Sequence, residues 1–138
     1  MEFIKWDSSF ETDIKIIDVQ HKVLIKKVNQ LYEFIEDNSI NRIYPLIDEL
    51  LEFTDYHFET EESLMEEHGY FELHSDDASH HKQQHRSFSA NVVDIREGLK
   101  KGRPISREGL LSFLNSWLVG HIMSTDKKLA AHIVSRRI

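Results

Sequence analysis

Apolar residues recur along this chain at intervals of three and four, the period of a helix that buries one face. Two prolines and five glycines are the main interruptions in 138 residues, so helix is predicted almost throughout. The first stripe runs His21, Leu24, Ile25, Val28, Leu31, Tyr32, Ile35, with Asp18 read as its N-cap and Asp37-Asn38-Ser39 as its end. The second starts near Ser39 to Asn41 and turns Ile43, Ile47, Leu50, Thr54, His57, Glu61 and Met65 inward, with Gly69 as its stop. Pro45 is placed in its first turn, where a missing N–H matters least. A loop from about Gly69 to Asp77 is expected next. The third stripe is His81, His85, Phe88, Val92, Ile95, Leu99, spaced as in a coiled coil. After a break at Lys101-Gly102-Arg103-Pro104, Ser106 can cap a fourth helix with Leu110, Leu114, Trp117, Leu118, His121 and Thr125 inward.

Short connections favour antiparallel neighbours, so the expected fold is all-α, an up-down-up-down antiparallel four-helix bundle. The bundle would cover 18–126 of a single domain spanning 1–138. Residues 1–17 form an arm anchored by Trp6, Phe10, Ile14 and Ile16, and the 127–138 tail has room for a short helix near 127–136.

Composition narrows the chemistry. The absence of cysteine excludes disulfides, thiolate zinc sites, iron–sulfur clusters and a cysteine nucleophile. A formal charge of −7 and a pI near 5.7 argue against nucleic acid. The basic groups Lys100, Lys101, Arg103, Arg136 and Arg137 read as solvated helix ends. The start, MEFIKWDSSF, lacks a basic region followed by an apolar run, and no stretch approaches the ~20 apolar residues of a membrane span. A cytoplasmic protein with no membrane partner is expected.

The apolar stripes, however, carry polar residues that a plain core would reject. His57 and Glu61, and likewise His81 and His85, stand four apart, about 40° from each other on one helical face. His21 and His121 lie in the other two stripes. Without metal, every ring nitrogen and carboxylate would need a hydrogen bond, and each buried group left without one costs about 1–3 kcal/mol. With Asp126 the set is seven nitrogen and oxygen ligands, which suits two metal ions of high coordination number better than structural zinc. Glu61 is preferred to Glu62, which lies about 140° from His57, and His81 to His80, which has no histidine four residues on. Asp126, five residues after His121, falls about 140° off that face; either it reaches around or the helix is distorted there, for example by a π-bulge. His68, His74, His80 and His132 lie off the stripes and are expected to be solvated or bonded at the surface.

Five motifs together resemble the hemerythrin family, over essentially the whole chain. They are Trp6-Asp7, Asp18-Val19-Gln20-His21-Lys22, His57-Phe58-Glu59-Thr60-Glu61-Glu62, His81-Lys82-Gln83-Gln84-His85, and Trp117-Leu118-Val119-Gly120-His121-Ile122 followed by Asp126. The resemblance implies a non-haem pair of iron ions (Fe2+/Fe3+), one held by His81, His85 and His121 and the other by His21 and His57. Glu61 and Asp126 would bridge them with an oxo or hydroxo group, and the five-residue spacing to Asp126 matches the family. It further implies reversible O2 binding, with Leu24, Phe58, Trp117, Leu118 and Ile122, all within a turn of ligands, as pocket walls. The connection from Tyr70 to His81 looks a few residues longer than is usual in the family. The expected role is an O2 carrier, store or supply rather than an enzyme. An O2 or redox sensor domain, cut from a larger signalling protein or acting on a separate signalling or oxygen-consuming partner, is the alternative. A di-iron oxidase, peroxidase or nitric-oxide-handling enzyme ranks third, since the pocket candidates add no acid–base residue.

Overall fold

A computed structural model describes residues 3–35, 40–103 and 107–136. The helices are α1 (Lys15–Ile35), α2 (Ile40–Glu67), α3 (Tyr70–Leu73), α4 (Ser75–Lys100), α5 (Arg107–Gly120) and α6 (Lys127–Ser135), with a π-helical segment, His121–Asp126, joining α5 to α6. Helices α1, α2, α4 and α5 form an antiparallel four-helix bundle. The polar residues of the stripes meet at one level although they stand near the start of α1 and α4 and near the end of α2 and α5. Alternating chain direction is what allows that.

The inward stripes are buried as the periodicity predicts, from Leu24, Val28 and Leu31 on α1 to Leu110, Leu114 and Leu118 on α5. Among the described residues two apolar clusters result. The larger contains Leu24, Phe58, Phe88, Leu118 and Ile122; the smaller contains Ile17, Met65, Ala78, Leu129 and Ile133. His21, Glu61, His81 and Asp126 each fall between a member of one cluster and a member of the other along their own helix. The polar layer is thus closed off from both ends of the bundle.

Several boundaries differ from the sequence expectation. Helix α1 begins at Lys15, and Asp18 lies inside its first turn rather than at its N-cap. The Asp18 carboxylate accepts the Thr12 N–H at 2.9 Å and the Thr12 hydroxyl at 2.8 Å, which secures the arm while placing an acid at the positive end of the helix. The earlier start turns Ile16 outward, 48% exposed, and buries Ile17 in its place. Phe10 and Ile14 are buried as expected and Trp6 is half-buried. Farther out, the Asn29 side chain accepts the Ile4 N–H and donates to the Ile4 carbonyl, both at 2.8 Å.

Pro45 lies in the second turn of α2, so the helix forgoes one backbone bond there. The expected loop from Gly69 to Asp77 is largely helical. Gly69 turns the chain at φ 69°, buried Tyr70 opens α3, and α4 starts at Ser75 with Asp76 and Asp77 favouring its N-terminus. Helix α4 ends in a Schellman motif, where Arg103 N–H donates to Gly98 O, Gly102 N–H donates to Leu99 O, and Gly102 takes φ 77°. The expected stop at Asp37-Asn38-Ser39, the Ile35 side chain and the Ser106 cap lie outside the described residues. The short tail helix is present as α6. No helix among the described residues is long and apolar enough to cross a membrane.

Candidate metal centre

All seven expected residues converge. His21, Glu61, His81 and Asp126 are fully buried, and His57, His85 and His121 nearly so. The geometry divides them into two groups that could each hold a cation: Glu61, His81, His85, His121 and Asp126 in one, and His21, His57, Glu61 and Asp126 in the other. The two carboxylates are common to both. Asp126 faces His81 and His121 with Oδ1, at 3.0 and 2.9 Å, and His21 with Oδ2, at 2.8 Å. Glu61 Oε1 lies 3.0 Å from His85 Nε2, 3.4 Å from His57 Nε2 and 3.5 Å from His81 Nε2, while Oε2 faces His21 at 3.9 Å.

Asp126 reaches this position because His121–Asp126 is π-helical. In a π turn each residue bonds five places back, so a spacing of five does what a spacing of four does in an α-helix. Of the two ways left open by the sequence for Asp126 to face the cluster, the structure shows local distortion of the helix.

Whether these residues suit a metal can be judged from their unpaired atoms. Nε2 of His21, His57, His81 and His121, Oε2 of Glu61 and both oxygens of Asp126 are buried without a hydrogen-bond partner; the outward Nδ1 atoms of His21 and His81 also lack one, which a cation in the cluster would not supply. His21 Nε2 and Asp126 Oδ2 are 2.8 Å apart and still count among them, so the donor direction misses the acceptor. Lone pairs crowded around a common space, close together but not aimed at one another, are what a cation in that space would satisfy. The donor set fits.

Electrostatics agree. Burial, with the Asp126 charge added, pushes Glu61 well above the usual carboxylate range. Burial would raise Asp126 too, but His121, His21 and His81 outweigh it and hold its carboxyl well below the usual range. Burial, followed by the neighbouring His21, pulls His57 down to about 3. Burial and His81 lower His85 in the same direction. For His121 burial acts downward, yet the Asp126 and Glu61 carboxylates leave it raised. Without a cation the pocket cannot ionise all of its groups.

Outward-facing nitrogens fix three of the rings. His57 Nδ1–H donates to Gln20 Oε1 at 2.6 Å, and Gln20 Nε2 donates to the Thr60 hydroxyl at 3.2 Å. His121 Nδ1–H donates to Gln84 Oε1 at 2.6 Å, an oxygen that also accepts from Thr125 at 2.8 Å. His85 Nδ1–H donates to Glu62 Oε2 at 3.0 Å. These partners leave Nε2 of each ring for the cluster. The sequence reading missed all three, though each adjoins a proposed ligand: Gln20 next to His21, Gln84 next to His85, Glu62 next to Glu61. A residue one step from an inward position is turned about 100° and meets the neighbouring helix, which is where its histidine lies.

The apolar candidates all belong to, or pack against, the larger apolar cluster. Leu24, Phe58, Leu118 and Ile122 are buried and Trp117 is half-buried. Phe58 stacks on His85 at 3.9 Å and 9°, and Trp117 on His121 at 4.4 Å and 13°. Of the histidines expected outside the site, His80 and His74 are exposed, and His80 bonds Gln84 Nε2 at 2.9 Å. His132 is a correction. It is 7% exposed, donates from Nε2 to the His68 carbonyl at 2.8 Å and packs against Tyr70, because α6 folds its inner face onto α3.

Residues 12–133 match the family model for the hemerythrin HHE cation binding domain. A bacteriohemerythrin from Stenotrophomonas maltophilia is 33% identical over 135 residues, covering 96% of this chain and 83% of that protein. Another from Pseudomonas aeruginosa is 32% identical over 126 residues, covering 91% of this chain and 78% of that one. Among solved structures, a wild-type hemerythrin superposes with a TM-score of 0.86 at 26% identity, covering 95% of this chain and 98% of that one. The chain belongs to the hemerythrin family.

Proposed function

We propose that this member of the hemerythrin family holds two iron ions and binds O2 reversibly as a carrier, store or supply. His81, His85 and His121 would ligate one iron, His21 and His57 the other, with Glu61, Asp126 and an oxo or hydroxo group bridging. The observation that carries this reading is the pair of overlapping ligand groups, five residues on one side and four on the other, sharing both carboxylates. The side with fewer histidines would have a position to spare for a small ligand. When bound, the iron pair supplies the electrons that hold O2 in a reduced, releasable form.

The chain's own residues do the rest. Glu61 and Asp126 neutralise cationic charge in a layer closed by apolar clusters on either side, which lowers the cost of burying it. Gln20, Gln84 and Glu62 fix three imidazole tautomers so that Nε2 faces inward. Leu24, Phe58, Trp117, Leu118 and Ile122 exclude water and so slow irreversible oxidation. As wall residues they present no carboxylate, imidazole or amine to move a proton, which favours carriage over turnover.

The deciding experiment quantifies iron per chain and records the visible spectrum of the reduced protein before and after O2 is admitted and then removed. About two irons per chain and a charge-transfer band that comes and goes with O2 are expected. A colourless protein that keeps two zinc ions and takes no iron would overturn the proposal.

A further inference from the structure

The three side chains that fix the outward histidine nitrogens differ in charge. Gln20 on His57 and Gln84 on His121 are neutral amides, whereas the partner of His85 is a carboxylate, Glu62, at 3.0 Å. Its second oxygen lies 3.8 Å from Lys82 Nζ, and both side chains are about one-third exposed, at 32% and 33%. Glu62 and His85 share the wall of an open depression between α2 and α4, with Phe58, Glu59 and Arg86. Phe58, stacked at 3.9 Å, holds the His85 ring in the plane that meets Glu62.

We propose that Glu62 is a positioning residue that makes the three-histidine subsite the more electron-rich of the two. This rests on the di-iron reading above. A carboxylate that accepts the Nδ1–H of a ligating imidazole pulls that ring toward imidazolate character and raises its basicity as a ligand. The ring then stabilises the higher oxidation state of the metal it holds. Gln84 orients His121 in the same subsite without adding charge, so the protein carries its own control. In E62Q an amide oxygen can still accept the Nδ1–H, as Gln20 and Gln84 do, and only the charge is lost.

The test is an anaerobic redox titration of iron-loaded wild type, E62Q and Q84E, with iron counted per chain. It is paired with nitrogen NMR of the histidine tautomers in the metal-free proteins. E62Q is expected to retain iron and the His85 tautomer while favouring reduction about tenfold, a rise of about 59 mV for a one-electron step. Q84E, which adds a carboxylate to His121, should move the potential the opposite way and supplies a second reading if E62Q folds poorly. Equal potentials in wild type and both variants at equal iron content would overturn the role of Glu62 and leave the di-iron reading standing. A wild type that takes up no iron would overturn both.

Discussion

Lowering the pH of metal-free protein from 6.5 to 5 should remove at least about 2 kcal/mol of stability, a sign and size that follow from the buried groups. Burial holds His57 near 3 against an ordinary 6.5, and His85 is pushed down the same way. The fold keeps both rings neutral while the unfolded chain protonates them, so each withdraws about 1.4 kcal/mol per pH unit below 6.5, or about 2 kcal/mol by pH 5. Glu61 works in the opposite sense. The fold favours its protonated form through burial and the Asp126 charge, whereas the unfolded chain releases the proton above the ordinary 4.5; this costs stability at higher pH and returns no more than about 2 kcal/mol over the same window. His121, raised, is protonated in both states below 6.5, and Asp126, held low, acts only below 3.8. Two losses against one gain leave a net loss of at least about 2 kcal/mol, roughly 8 °C or more in Tm for a chain of this size. Iron-loaded protein should stand about 4 kcal/mol above the metal-free form at pH 7 when free metal exceeds Kd about 1,000-fold, and should forfeit that margin as protons compete for the imidazoles. Urea unfolding followed by circular dichroism, with chelator or with ferrous iron under argon, measures both. A metal-free midpoint that stays fixed or rises as pH falls, or coincident curves at pH 7, would refute the reasoning.

Gln84→Leu strands two donors, the His121 Nδ1–H and the Thr125 hydroxyl. Iron retention against a competing chelator should weaken about 10–100-fold, with an unchanged competition curve as the contrary result. Phe58→Ala removes a buried ring that stacks on His85 and contacts Phe88 and Trp117, and should destabilise the protein by about 3–5 kcal/mol. It should also speed oxidation of the reduced centre, read as decay of the oxygenated band; a slower decay would remove Phe58 from the pocket wall. Asn29→Leu breaks both bonds to Ile4, worth about 0.5–1.5 kcal/mol each. Hydrogen exchange should quicken at Ile4 but not at Thr12, whose anchor to Asp18 is separate; equal acceleration at both would mean that the arm opens as one unit.

The inward residues of the bundle were legible because burial of a helical face imposes a period that apolar side chains record directly, and the ligands sit in that period. Helix ends were less so. Asp18 has the chemistry of an N-cap and satisfies Thr12 from inside the first turn instead, a contact across six positions that no helical period encodes. Ile16 and Ile17 are equally apolar, and only the true start of α1 decides which of them is buried. The outer partners of the histidines were hidden for a related reason: Gln20 and His57, like Gln84 and His121, are 37 residues apart, and the contact belongs to the pairing of helices rather than to either one.

The π segment ties the metal layer to the tail. Counted in α register from His121, Leu129, Ala130 and Ile133 would lie about 80°, 180° and 120° away, a face turned from the bundle. Absorbing one extra residue between His121 and Asp126 takes about 100° from each, leaving Leu129 and Ile133 within about 20° of the His121 face and Ala130 within about 80°. Those three are buried in the smaller apolar cluster with Ile17, Met65 and Tyr70. The same insertion that brings Asp126 to the other ligands therefore also aims α6 at the end of the bundle, where it closes the polar layer. Burying the tail and positioning the second carboxylate are one structural event. The strain of a non-α turn at His121–Asp126 is offset by the packing of Leu129, Ala130 and Ile133 as well as by whatever cation the carboxylates hold.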